Sequence, residues 1–175
     1  TEPFDGTRTL GYQVELTFFA QHQADALNPH HTILESLREM ARGHSETELR
    51  SVLGAFLFSG DDVFKPIKVL SGGEKARVSL AKILLSPVNF LIMDEPTNHL
   101  DLTAKEALEE ALKEYDGTLL LIAHDRYFLD KLVTRVLELK DGRLRVYEGN
   151  YSDYLGKRAG GQAEAFEPPG DADTD

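Results

Sequence analysis

Two short apolar runs constrain this chain more than any other feature. Residues 89–94, "NFLIMD", and residues 118–125, "TLLLIAHD", each read as a short buried strand that closes on polar side chains. Between them, residues 102–115 put Ala104, Leu108, Ala111, Leu112 and Tyr115 on one side of a helix. Buried strands that alternate with helices imply a mostly parallel sheet under helical cover. Antiparallel strands with one wet face would instead alternate polar and apolar residues.

Elsewhere the patterning is mixed. Tyr12, Val14, Leu16 and Phe18 alternate with Gln13, Glu15 and Thr17, which predicts a strand over 12–20. Ile33, Leu34, Leu37, Met40 and Ala41 share a helix face, and Thr32 is placed to cap it. Ser45 with Glu48 fits a capping box ahead of Leu49, Val52, Leu53 and Phe56. "FSGDDVFKP" has the composition of a loop, and a helix is expected over about 74–85, ended by Pro87. "DRYFLDKL", residues 125–132, reads as a short helix, and "VTRVLELKDGRLRVYEG" as a hairpin turning at Asp141-Gly142. The expected organisation is one α/β domain over 1–158 with a helical lobe at about 22–70. An acidic tail expected to be disordered follows over 159–175.

Composition excludes several classes. The chain has 175 residues, 41% of them hydrophobic, enough for a core. It holds no cysteine, so disulfides, thiolate metal sites and cysteine nucleophiles are out. With 30 acidic residues against 19 Lys and Arg, the net charge of −11 argues against a free-standing nucleic-acid binder, though not against a local basic patch. No apolar run is long enough to span a membrane and no signal-peptide core opens the chain, so a cytoplasmic protein without membrane insertion is expected.

Three segments carry candidate chemistry. Ser71, Gly72 and Gly73 precede a helix whose free N–H groups and partial positive charge suit an anion; an ordinary N-cap has the same composition. Asp94 and Glu95 end an apolar strand, where ligands gather in open α/β sheets. One carboxylate there suits a magnesium ion beside phosphates. The other suits a general base, worth about 10²–10⁴-fold in rate. The alternative is a helix cap or a solvated loop. His124 ends the next strand and can bond a phosphate oxygen or a water, or merely backbone, with Asp125 capping the following helix.

Together, "LSGGE", "IMDEPTNHLD" and "LIAHDR", in this order, resemble the nucleotide-binding domain of the ATP-binding-cassette (ABC) family, over about residues 10–155. The resemblance implies a partial P-loop NTPase fold and roles by position. Ser71, Gly72 and Gly73 match the signature loop, which contacts ATP held by the opposite domain of a dimer. Asp94 matches the Walker B aspartate and Glu95 the water-activating glutamate. Asp101 matches the D-loop aspartate at the dimer interface, and His124 the switch histidine. Gln21 matches the Q-loop glutamine that senses magnesium and γ-phosphate, with Gln23 as the other choice in "QHQ".

"DEPTNHLD", "AHDRYFLD" and "YEGNYSDYL" are similar to the ABC-F branch, and "LSGGEKAR" to the second of its two cassettes. That resemblance implies a translation factor whose parent protein acts on the ribosome. It also implies ATP and Mg2+ in the complete domain pair, and a second cassette as partner in a head-to-tail nucleotide sandwich. An ATP-binding subunit of an ABC transporter and a non-catalytic interaction domain are the alternatives. The family's Walker A loop, G-x-x-x-x-G-K-[ST], is absent: Gly6 and Gly11 have the spacing, but Tyr12 and Gln13 follow. The chain therefore reads as a fragment, expected by itself to bind ATP poorly, to turn none over and to self-associate through exposed apolar surface.

Overall fold

The computed structural model describes residues 9–19, 27–41, 43–98, 100–161 and 164–165. The chain divides into two compact units, residues 1–122 and 123–175. The first holds β1 (Leu16–Phe19), α1 (Ile33–Arg38), α2 (Glu46–Ala55), α3 (Gly72–Leu84), β2 (Phe90–Asp94), α4 (Leu102–Lys113) and β3 (Thr118–Ile122). The second holds α5 (Arg126–Leu132), β4 (Arg135–Lys140), β5 (Arg143–Glu148), α6 (Tyr151–Ala159) and β6 (Glu164–Ala165).

The expected parallel sheet is present. β1, β2 and β3 pair in that order, all parallel, with Phe18, Ile92 and Leu120 level and Phe19, Met93 and Leu121 one step on. The period of two sends these rows to opposite faces. One face is core, where Phe19, Leu91 and Met93 are buried with Val78, Leu80 and Ala81 of α3 and Leu108 and Leu112 of α4. The other face is not: Phe18 is 42%, Leu120 37% and Ile122 53% exposed. Of the two strands expected to be buried on both sides, β2 is therefore buried on one, and β3 is half-buried on one and exposed on the other.

The helical lobe is built from its caps inward. Thr32 and Ser45 each close a capping box, with Glu35 and Glu48 returning bonds to the cap N–H groups. Each cap satisfies orphan donors in the first turn and so defines where its helix begins. Ile33, Leu37, Leu49, Leu53 and Phe56 then meet in a core with essentially no exposed surface.

Four expectations need correcting. The first strand begins at Leu16 because Gly11–Val14 form a turn with Gln13 at φ +59°, which leaves Tyr12 exposed. Asn89 holds that strand's start, accepting from Glu15 N–H and donating to Gln13 carbonyl. The stretch "FSGDDVFKP" is not irregular throughout, since Gly60–Phe64 is a 3₁₀ helix that buries Val63. In the expected tail, α6 runs to Ala159 and Glu164–Ala165 pair antiparallel with β5, whose free edge offers their backbone partners. Residues 162, 163 and 166–175 lie outside the described residues. The fourth correction concerns α3 and the site.

In the second unit Asp141 and Gly142 turn the β4–β5 hairpin at φ +51° and +70°, as expected. Asn150 caps α6 in a box with Asp153. Tyr154 then stacks edge-on against Tyr147, and both hydroxyls donate to Glu138. Among the described residues, no helix is long and apolar enough to cross a membrane.

Candidate functional site

The "LSGGE" segment is not a loop. Helix α3 starts at Gly72, two residues before the expected point, with Ser71 as its N-cap. Ser71 Oγ accepts from Glu74 N–H at 3.3 Å, and Glu74 accepts from Ser71 N–H at 2.8 Å. This is the same Ser-x-x-Glu spacing that marks α2, so the signal was in the sequence. The bond from Ser71 N–H holds the Glu74 carboxyl below the ordinary glutamate value.

Gly72 and Gly73 are the first two residues of a 13-residue helix, and Gly72 is exposed. A Cβ added at Gly72 would meet nothing within 4 Å. Glycine therefore relieves no clash within this chain, although it carries the largest backbone entropy cost of any residue. A glycine that the fold does not require, at the first turn of a helix, is compatible with an anion approaching that terminus from outside.

The acidic pair lies at the other end of the structural grammar. Asp94 is the last residue of β2 and level with Ile122 of β3. Glu95 turns left-handed at φ +50°, and its N–H donates to the Ile122 carbonyl at 2.8 Å. Left-handed backbone is disfavoured for a residue with a Cβ, and such residues cluster at functional sites. Neither acid caps a helix, because the cap of α4 is Asp101. Among the described residues no group of three or more His, Asp or Glu side chains is arranged to hold a metal ion. A magnesium ion fits here only as magnesium is usually held, by one or two carboxylates with phosphate and water completing its shell.

Asp101 uses both carboxylate oxygens. Oδ1 accepts from Ala104 N–H at 2.8 Å, and Oδ2 accepts from Arg77 Nη1 at 3.2 Å. Arg77 rises from α3, so the structure joins the D-loop position to the signature helix, a link that the sequence reading missed. His124 lies in the second unit, exposed, one residue before Asp125, whose Oδ1 accepts from Phe128 N–H and caps α5. Gln21 and Gln23 lie outside the described residues.

A family profile described as "ABC transporter" matches residues 5–98. YdiF of Bacillus subtilis is 50% identical over 157 residues, covering 90% of this chain and 24% of YdiF. "ABC transporter F family member 5" of Arabidopsis thaliana is 40% identical over 95% of this chain and 24% of its own length. The "Energy-dependent translational throttle protein EttA" of Escherichia coli is 41% identical over 95% of this chain and 31% of its own. The chain thus spans 24% to 31% of the length of these relatives. Among solved structures, "RNase-L Inhibitor" overlays with TM-score 0.67 at 22% identity, over 93% of this chain and 32% of that one, a likeness of fold alone. A dimeric post-hydrolysis state of the ATP-binding cassette MJ0796 bound to ADP and Pi overlays with TM-score 0.60 at 27% identity, over 77% of this chain and 63% of that one.

Proposed function

Because this chain belongs to the ABC transporter family, in its ABC-F branch, we propose that it supplies the lid and the water-activating acid of an ATP-hydrolysing cassette within a longer protein. The observation that carries this reading is Gly72. It is exposed at the first position of α3, and a Cβ added there would meet nothing within 4 Å, so the fold itself does not call for glycine. Ser71, Gly72 and Gly73 close over the γ-phosphate of ATP held by a second cassette, stacked head to tail. ATP with Mg2+ supplies the scissile phosphoanhydride and its charge neutralisation. Asp94 would hold the magnesium ion beside the phosphates. Glu95, fixed by the Ile122 carbonyl, orients and deprotonates the attacking water. By the same family resemblance His124 would act as the switch histidine, Asp101 as the D-loop aspartate at the cassette interface and Gln21 as the glutamine that senses magnesium and γ-phosphate.

The partner cassette finds its analogue in the dimeric neighbour. Translation, with the ribosome as partner of the longer protein, is supported by the name of EttA, itself a translational throttle. Both are proposals for the whole protein, of which this chain is a part. Two measurements test the reading. In the native-length protein, Glu95→Gln should cut ATP turnover by at least about 10²-fold while ATP-dependent pairing of the cassettes persists. Wild-type turnover in that variant would refute the assignment. The 175-residue chain alone should give no measurable heat with Mg-ATP at micromolar concentration in isothermal titration, because the phosphate cradle is not in its sequence.

A further inference from the structure

Arg77 is a charged residue kept inside the protein where a hydrophobic one would pack. Its side chain is only 15% exposed, and its Nε is buried without a hydrogen-bond partner. The guanidinium lies over the Phe58 ring, 5.4 Å from its centroid, and Nη1 reaches Asp101. Three elements thus meet on one side chain: α3, the segment after α2 that carries Phe58, and the N-cap of α4. Near its other end α3 is tied again, because Lys82 Nζ donates to Glu39, the C-cap of α1, at 2.9 Å.

An ion pair of this kind is a poor source of stability. The orphaned Nε–H opposes the attraction, and the Asp101 side chain is 61% exposed, so water screens the pair and leaves it worth little. What the pair provides is geometry. A planar guanidinium held between a ring face and a carboxylate has little freedom. It fixes the Asp101 carboxylate relative to the axis of α3, and hence relative to Ser71–Gly73 at the start of that helix.

We propose that Arg77 is a positioning residue that locks the Asp101 turn and the Ser71–Gly73 helix terminus into one rigid body, so that both meet the opposing cassette in register. This rests on the reading that Ser71–Gly73 form the lid. Misplacing a reacting group by about 1 Å costs up to about 10²-fold in rate, so a slack strut is expressed in turnover and not in nucleotide affinity.

The test uses the native-length protein with Arg77→Met, Asp101→Asn and the double variant. The expected result is a fall in kcat of about tenfold or more for Arg77→Met, with KM for ATP within about twofold and an unchanged urea midpoint. The double variant should be no slower than the slower single, because coupled groups do not add. Arg77→Lys keeps the charge without the fork and should fall between wild type and Arg77→Met. Wild-type kcat in Arg77→Met, or fully additive losses with Asp101→Asn, would overturn the proposal. So would losses that simply follow the urea midpoints. Hydrogen exchange separates this from failure of the lid reading. If Gly72→Asp, which would set a carboxylate at the proposed lid, leaves turnover and ATP-dependent pairing of the cassettes intact, the lid reading fails and the catalytic part of this proposal fails with it. The strut itself then stands or falls on whether Arg77→Met accelerates exchange at Ala104 N–H, which Asp101 holds, relative to amides in mid-α4.

Discussion

The helical lobe and the parallel sheet lie in the same compact unit, yet they are finished to different degrees. In the lobe, Ile33, Leu37, Leu53 and Phe56 have no exposed surface, and both main helices carry reciprocal caps. In the sheet, the row Phe18, Ile92, Leu120 presents apolar side chains of which two are substantially open to water. Parallel strands are normally covered on both faces. The lobe has what it needs to hold its shape, whereas the sheet has an apolar face still available for burial. The functional segments divide along the same line. The proposed lid springs from α3, packed against the lobe, and the proposed acids spring from the sheet.

That contrast gives the largest expected effect. Leu53→Ala in the lobe should cost about 2–5 kcal/mol, as deletion of a fully buried leucine does when the cavity cannot collapse. Ile122→Ser on the open sheet face should change stability by no more than about 0.5 kcal/mol. Urea unfolding of both variants checks the pair. Equal losses would mean that the sheet face is not open in solution, and the contrast would collapse. Ile122→Ser should also reduce self-association of the chain in light scattering, because it places a hydroxyl in an exposed apolar row.

The contrast also explains what was legible beforehand. Alternation of apolar strands with helices disclosed β2, β3 and their parallel pairing, since that pattern reports the chain's own preferences. It failed for burial, because the number of faces covered depends on what else packs there. The lobe's helices were readable from Thr32 and from Ser45 with Glu48, whose side chains act within one turn. The same logic applied to Ser71 and Glu74 would have started α3 correctly, but two glycines suggested a loop. Asp94, Glu95 and His124 stood out as polar residues closing apolar strands, and Asp101 only through the family resemblance; the structure places Asp94 at the end of β2 and Asp101 at the N-cap of α4. The Arg77–Asp101 pair was not legible, because it spans 24 residues and no local pattern encodes a contact between two helices.

The second unit extends the comparison from cores to turns. Gly149 sits at φ +108°, and an added Cβ would lie 2.4 Å from the Asp153 carboxylate that completes the α6 cap. Gly149→Ala should therefore cost about 1–3 kcal/mol through backbone strain and a broken cap, visible as loss of α6 protection in hydrogen exchange. Gly72→Ala, by contrast, meets no atom within 4 Å. It should leave the stability of the chain unchanged or slightly raised. A large loss at Gly72 would show that the fold itself needs that glycine, and would remove the main support for a ligand-facing role.

The caps of the first unit add a contrast that is read by pH. Ser45→Ala should cost about 1 kcal/mol, the usual worth of an N-cap. The Glu35, Glu48 and Glu74 carboxylates are each held below the ordinary value of 4.5, chiefly by the backbone N–H of Thr32, Ser45 and Ser71 respectively. A carboxyl with a lowered folded pKa binds its proton more weakly when folded than when unfolded. Its contribution is fully present above the unfolded value and disappears as pH falls through the folded one. Two of these caps start the lobe helices α1 and α2, and the third starts α3, which packs against the lobe and against β1, so acid should loosen these helix starts first. Below about pH 4.5, amide exchange at the first turns of these helices should rise, corrected for intrinsic rates, before exchange within β2 does. Simultaneous loss in both regions would indicate that lobe and sheet open as one cooperative body, and that their different finish does not make them independently stable.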